Sequence, residues 1–152
     1  MADPATFQDT SPRHRLPLLF AAQAQKEVVV NEALSLLDAI VQPAILGEQD
    51  SPPTNPAEGD GWLVGATPTG DWSAHAGELA VYSGGDWLFA MPSAGMQVWD
   101  SSLQQFRLFD DGWSTATAPA PPSGGTTVDI ESRQAISGII SVLRESGILP
   151  AN

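Results

Sequence analysis

Two kinds of hydrophobic spacing divide this chain. Val30, Leu34, Leu37 and Val41 recur at three- and four-residue steps, with Ala33 and Ile40 alongside, and Ile136, Ile139, Ile140 and Leu143 do the same near the far end. That period is one face of a helix. Between residues 61 and 116 the apolar residues instead form short runs bounded by Gly, Asp, Ser or Pro, the pattern of brief strands. The spacing predicts strands over Gly61–Ala66, Glu78–Tyr82, Trp87–Ala90, Met96–Trp99 and Gln105–Phe109. Alternation along the last pair places Val98, Phe106 and Leu108 toward a core and Gln97, Gln105 and Arg107 toward solvent. The fold class predicted is α+β. It consists of a small antiparallel β-meander domain, an N-terminal amphipathic helix and a linker-tethered C-terminal amphipathic helix.

Local signals mark the boundaries. Residues 1–12 are polar and read as an extended arm. Residues 13–116 hold the first helix and the β-domain. Within them Val28-Val29-Val30 interrupts a run of good helix formers, and Asn31 suits an N-cap with Glu32 in the first turn. Pro43 and Gly47 close that helix. Residues 48–60 are a proline-rich connector, poor in ladder potential. Tyr82-Ser83-Gly84-Gly85-Asp86-Trp87 predicts one hairpin, because glycine supplies positive φ, and the segment from Trp99 to Phe106 predicts another. Residues 117–127 are a Pro/Gly linker. Residues 128–152 carry the second helix, with Asp129 as N-cap, Glu131 in the first turn, Gly147 past the end and Pro150 beyond. An isoleucine stripe on so short a helix needs cover, either from its own domain or from other copies of the chain.

All five tryptophans lie in the β region, most of them after an acidic or glycine turn: Gly61-Trp62, Asp71-Trp72, Asp86-Trp87 and Gly112-Trp113, with Trp99-Asp100 reversed. Tryptophan faces stack on flat molecules and on the apolar faces of sugars. Trp72, Trp87 and Trp113 are therefore candidate glycan-stacking residues, against the alternative that most of the five pack in the core of a small β-domain.

Charge and composition narrow the classes. Eighteen acidic against six basic residues give a formal net charge of −12. That disfavours nucleic acid and anionic membrane as partners. Only Arg13, His14 and Arg15 cluster as bases, and Arg13 and Arg15 are candidates for docking an acidic protein surface. The absence of cysteine removes disulfides, thiol catalysis and Cys-ligated zinc. The chain opens without a basic-then-apolar signal peptide and has no long apolar span, which predicts synthesis in the cytoplasm and no membrane insertion. His75 has Asp71 nearby but no second histidine at metal-ligand spacing. Asp60 with Asp110 or Asp111 is a weak match to a glycosidase carboxylate pair, since acids before tryptophan more often make turns. Walker and dinucleotide glycine motifs are missing. Neither catalytic nor metal residues are predicted, no cofactor is implied, and the chain reads as a non-enzyme.

One family resemblance rests on specific strings. Ala22-Gln23-Ala24-Gln25-Lys26-Glu27 followed by Asn31-Glu32-Ala33-Leu34, then Pro56-Ala57-Glu58-Gly59-Asp60, then Ser83-Gly84-Gly85-Asp86-Trp87 resemble the domain of unknown function 2793, a family of bacterial prophages and gene transfer agents. The likeness spans roughly residues 12–115. It implies a virion structural protein at the particle surface, such as a gene transfer agent head spike. Such a protein would anchor a spike or fibre to the capsid protein and support attachment to recipient-cell capsular polysaccharide. A capsid vertex would favour a pentamer and a fibre a trimer. Ile136, Ile139, Ile140 and Leu143 are the candidate oligomer interface. The alternative reading is a carbohydrate-binding module that stacks capsular polysaccharide on exposed tryptophans.

Overall fold

A computed structural model of the chain describes residues 16–17, 24, 26–126 and 128–151. The elements, in chain order, are α1 (Lys26–Val41), β1 (Ala44–Ile45), β2 (Glu48–Gln49), β3 (Gly61–Val64), β4 (Leu79–Ser83), β5 (Asp86–Ala90), β6 (Gln97–Asp100), β7 (Gln105–Phe109), β8 (Trp113–Thr115) and α2 (Ile130–Glu145). The class is α+β, as the spacing predicts. The β region is not one meander but two four-stranded sheets, ordered β2-β3-β4-β5 and β1-β6-β7-β8. Each is an antiparallel three-stranded meander with a two-residue parallel strand added at its first edge.

One ribbon joins the two sheets. Pro43 O and Ile45 O accept from Trp99 and Ser101 N–H of the β6 side, at 2.9 Å each. The next residues turn to the other sheet: Leu46 N–H donates to Gly61 O at 2.8 Å, and Gly47 O and Gln49 O accept from Leu63 and Gly65. These residues lie where the sequence predicts a helix end and a loop. Their two-residue strands carry too little hydrophobic alternation to register as strands, and only their partners define them.

The two meanders end alike. In β4–β5 the two-residue loop Gly84-Gly85 takes φ of +67° and +83°, and Tyr82 pairs with Trp87 across the ladder. In β7–β8 Phe109 pairs with Trp113. Both aromatic pairs meet edge to face, with ring centroids 5.1 Å and 5.3 Å apart, the geometry that ring quadrupoles favour. The recurring turn–tryptophan phrase is thus, in two of its instances, the closing pair of a meander. The Glu58 carboxylate also accepts from both loop amides, Gly84 at 2.9 Å and Gly85 at 3.1 Å, which ties the proline-rich connector to the first hairpin.

The β2–β5 sheet is buried on both faces. Leu63, Leu79 and Ala90 share a register line and face the main core with Leu36, Ile45, Met96 and Val98. Trp62, Ala80 and Phe89 form the next line and face a second core with Val64, Trp72 and Trp87. Helix α1 lies against β5 and begins at Lys26, so Val28-Val29-Val30 is helical and Asn31 sits inside the helix rather than capping it. Leu36 and Ile40 pack into the core, with Val29 and Ala33 half-buried on the same face of the helix. The predicted stripe of Val30, Leu34, Leu37 and Val41 is one position out of phase and points to solvent.

The alternation predicted for β7 is reversed. Gln105 is buried and Arg107 mostly so, whereas Phe106 and Leu108 are exposed. The cause is Asp100, fully buried on β6, which takes Arg107 as its counter-ion. A buried carboxylate without a partner is costly, so Arg107 must share the inner face with Val98, its cross-strand neighbour. Phe106, turned outward, is covered in part by Trp99 and by the chain after α2.

That chain begins as the sequence predicts. Asp129 caps α2, its carboxylate accepting from Ser132 N–H at 2.9 Å and Ser132 Oγ at 2.7 Å. Gly147 ends it at φ +71°, with Ile148 and Leu149 N–H returning to Leu143 O. Gly147 O then accepts from Phe106 N–H at 2.8 Å, and a Cβ on Gly147 would run into the Trp99 ring. A side chain is excluded twice here, by backbone conformation and by space. The end of α2 is therefore packed back on its own chain.

Candidate functional site

The three candidate stacking tryptophans occupy different environments. Trp72 is fully buried. The single 3-10 turn Gly70–Trp72 drives its ring into the outer face of the β2–β5 sheet, where it meets Trp87 at 5.0 Å and 88° and Trp62 at 6.4 Å. It is a core residue and offers no face to a ligand. Trp87 is half-buried in the same cluster, edge-on to Trp62, Trp72 and Tyr82. Trp113 is half-buried on β8 and reaches across the gap between the sheets, its Nε1–H donating to Gly77 O at 2.8 Å. Of the three, Trp113 lines an open cleft.

That cleft, about 380 Å³, is bounded by Glu48, Gly65, Ala66, Ala76, Gly77, Arg107 and Trp113, with Leu63 and Val64 at its base. Its charged wall was not legible in the sequence. Asp100 accepts from Ser102 Oγ at 2.6 Å, Ser102 N–H at 2.9 Å, Leu103 N–H at 3.1 Å and Arg107 Nε at 2.7 Å. Burial acts to raise its pKa. The Ser102 hydroxyl, the Arg107 guanidinium and the Leu103 amide outweigh that and hold the carboxyl below its ordinary value. Arg107 then turns Nη1 to Glu48 Oε2 at 2.6 Å. The one available signal was Asp100-Ser101-Ser102-Leu103, an Asx-type turn; the partners of Arg107 come from strands far apart in sequence.

The candidate interface on α2 divides. Ile136 and Ile139 are exposed, Leu143 is half-buried, and Ile140 is buried within the chain and so unavailable to another copy. Val142, also exposed, takes its place beside Ile139. With Ala135, Gly138 and Leu143 these two residues line an apolar groove of about 430 Å³. Arg13 and Arg15 lie outside the described residues.

The weaker chemical candidates have structural roles. His75 stacks flat on Phe89 at 3.5 Å and its Nδ1 lies 3.0 Å from Glu78 Oε2. Asp60 accepts from Ala57 N–H at 2.9 Å, a turn contact. Asp111 sits at positive φ in the β7–β8 turn. Among the described residues no three His, Asp or Glu side chains converge as a metal site would require, and no helix is long and apolar enough to cross a membrane.

Two small sheets sewn by one ribbon, with a cleft at their seam and helices left partly uncovered, define an α+β module. The family model of Protein of unknown function (DUF2793) matches residues 30–114, more than half of the chain, and the chain belongs to that family. No curated protein and no solved structure matches it.

Proposed function

We propose that this chain is a non-enzymatic structural component of a phage-like particle, a gene transfer agent head-spike protein. In this reading it sits at the particle surface, self-associates, anchors a spike or fibre to the capsid and supports attachment to recipient-cell polysaccharide. The observation that carries it is the apolar surface left on both helices. On α1, Val30, Leu34, Leu37 and Val41 are 37–65% exposed at four-three-four spacing, the seam spacing by which helices pack together. On α2, Ile136, Ile139 and Val142 are 42–61% exposed. Contiguous apolar patches rimmed by polar residues mark association surfaces, and repeated copies meeting through them would close as a ring. Arg13 and Arg15 remain the candidates for capsid docking, as cations in a strongly acidic chain.

Light scattering of the full chain tests the assembly, and incorporation of the tagged chain into particles tests the location. The reading expects a defined oligomer, pentamer or trimer, that co-sediments with capsids. A clean monomer that stays out of particles refutes it.

A further inference from the structure

The cleft between the two sheets carries charged groups that the apolar helix faces lack. Arg107 is held from two sides, by buried Asp100 at Nε and by Glu48 at Nη1. Among the described residues those bonds leave its Nη2 donors unengaged. Glu48 is half-exposed and uses only one carboxylate oxygen on Arg107. A donor pair and a free acceptor thus stand side by side on one wall. Trp113 provides an aromatic surface, immobilised by its bond to Gly77 O. The remaining rim is Gly65, Ala66, Ala76 and Gly77, small residues that leave room for a ring close to the backbone.

The charge count selects the ligand class. One guanidinium against two carboxylates leaves the wall net negative, in a chain of formal charge −12, which repels anions. A hydrophobic ligand would leave the polar wall unpaired. A neutral ring with one apolar face and edge hydroxyls satisfies both surfaces: its C–H face lies on the indole, one hydroxyl donates to Glu48, and a neighbour accepts from Arg107. The volume is near the lower end of ligand pockets, about 300 Å³, so one ring fits and an oligosaccharide would extend outside.

We propose that this cleft binds a single neutral pyranose residue, with Trp113 as platform and Glu48 and Arg107 as hydroxyl partners. The proposal deepens the polysaccharide part of the function above and does not depend on the assembly part.

The test uses the full chain labelled with ¹⁵N, titrated to tens of millimolar with glucose, galactose, rhamnose and N-acetylglucosamine separately, and with glucuronate as the charged control. The Trp113 indole signal is assigned by its loss in Trp113→Phe. At least one neutral sugar is expected to move it while the Trp72 signal stays fixed. Glu48→Ala should weaken binding at least tenfold. Ala76→Phe, on an exposed rim position, should abolish it without changing Tm or the Trp72 signal. The proposal is overturned if no neutral sugar moves the Trp113 signal, if glucuronate binds more tightly than every neutral sugar, or if both variants bind like wild type. Particle incorporation of Ala76→Phe, measured in parallel, separates loss of the sugar site from failure of assembly.

Discussion

Replacing Asp100 by Asn tests the account of the buried charge pair. The substitution keeps the shape and removes the charge. Wild-type Asp100 is fully buried and accepts four hydrogen bonds, one from Arg107 at 2.7 Å. Breaking a buried pair from one side costs about 3–5 kcal/mol. The lower end applies here, because Glu48 still neutralises Arg107 and an Asn oxygen can still accept from Ser102 and Leu103. At about 2–4 °C per kcal/mol for a chain of this size, the melting temperature at pH 7 should fall by roughly 6–12 °C. The pH dependence gives a second signature. The folded carboxyl titrates below the 3.8 of the unfolded chain, so its stabilisation is complete above that pH. It is lost as pH falls through the folded value. Other acids titrate in both proteins, so the difference between wild type and Asp100→Asn isolates this group. Calorimetry from pH 7 downward should show a constant gap that closes only below about pH 3.8. A gap under 2 °C at neutral pH, or one that persists unchanged into acid, would refute the reasoning.

Three further changes separate core, cap and surface. Trp72→Ala should destabilise by about 3–5 kcal/mol in urea unfolding, the range for a buried large aromatic; a loss under 1 kcal/mol would mean that the tryptophan cluster is not a core. Gly147→Ala should cost about 1–2 kcal/mol from its left-handed backbone alone, and more from the clash with Trp99, with the Trp99 indole signal shifting. An unshifted signal would show that the end of α2 does not dock there. The double variant Leu34→Ser/Ile139→Ser should leave thermal stability of the monomer within about 0.5 kcal/mol but reduce the mass seen by light scattering. An unchanged oligomer would move the interface away from both helices.

Much of the architecture was legible because it rests on local rules. The Gly84-Gly85 hairpin follows from a backbone that only glycine adopts freely, and the Asp129 cap and Gly147 stop follow from unsatisfied groups at helix ends. Five strands are found near their predicted positions for the same reason: turn residues bound them. The Asn31 cap failed and the short strands β1, β2 and β8 were missed; elsewhere what failed was phase. In α1 the apolar residues cover two adjacent faces, and periodicity cannot say which one meets the core. In β7 the alternation of Phe106 and Leu108 with Gln105 and Arg107 points to the wrong face, because Asp100, from another strand, outweighs it. The candidate site failed in part likewise. Trp72 and Trp113 sit in similar turn phrases, yet one is sealed beneath a sheet and the other lines a cleft.

The sequence by itself determined the class, the Gly84-Gly85 hairpin and the Asp129 cap and Gly147 stop of α2, since each depends on neighbours a few residues apart, and its composition alone excludes cysteine chemistry. Only the tertiary structure decided that a two-sheet body is sewn by Pro43–Asp50, that Asp100, Arg107 and Glu48 meet, and which apolar faces stay open. Those outcomes depend on pairing between segments as far apart as Glu48 and Arg107, where burial and charge compensation act on groups that no local pattern connects.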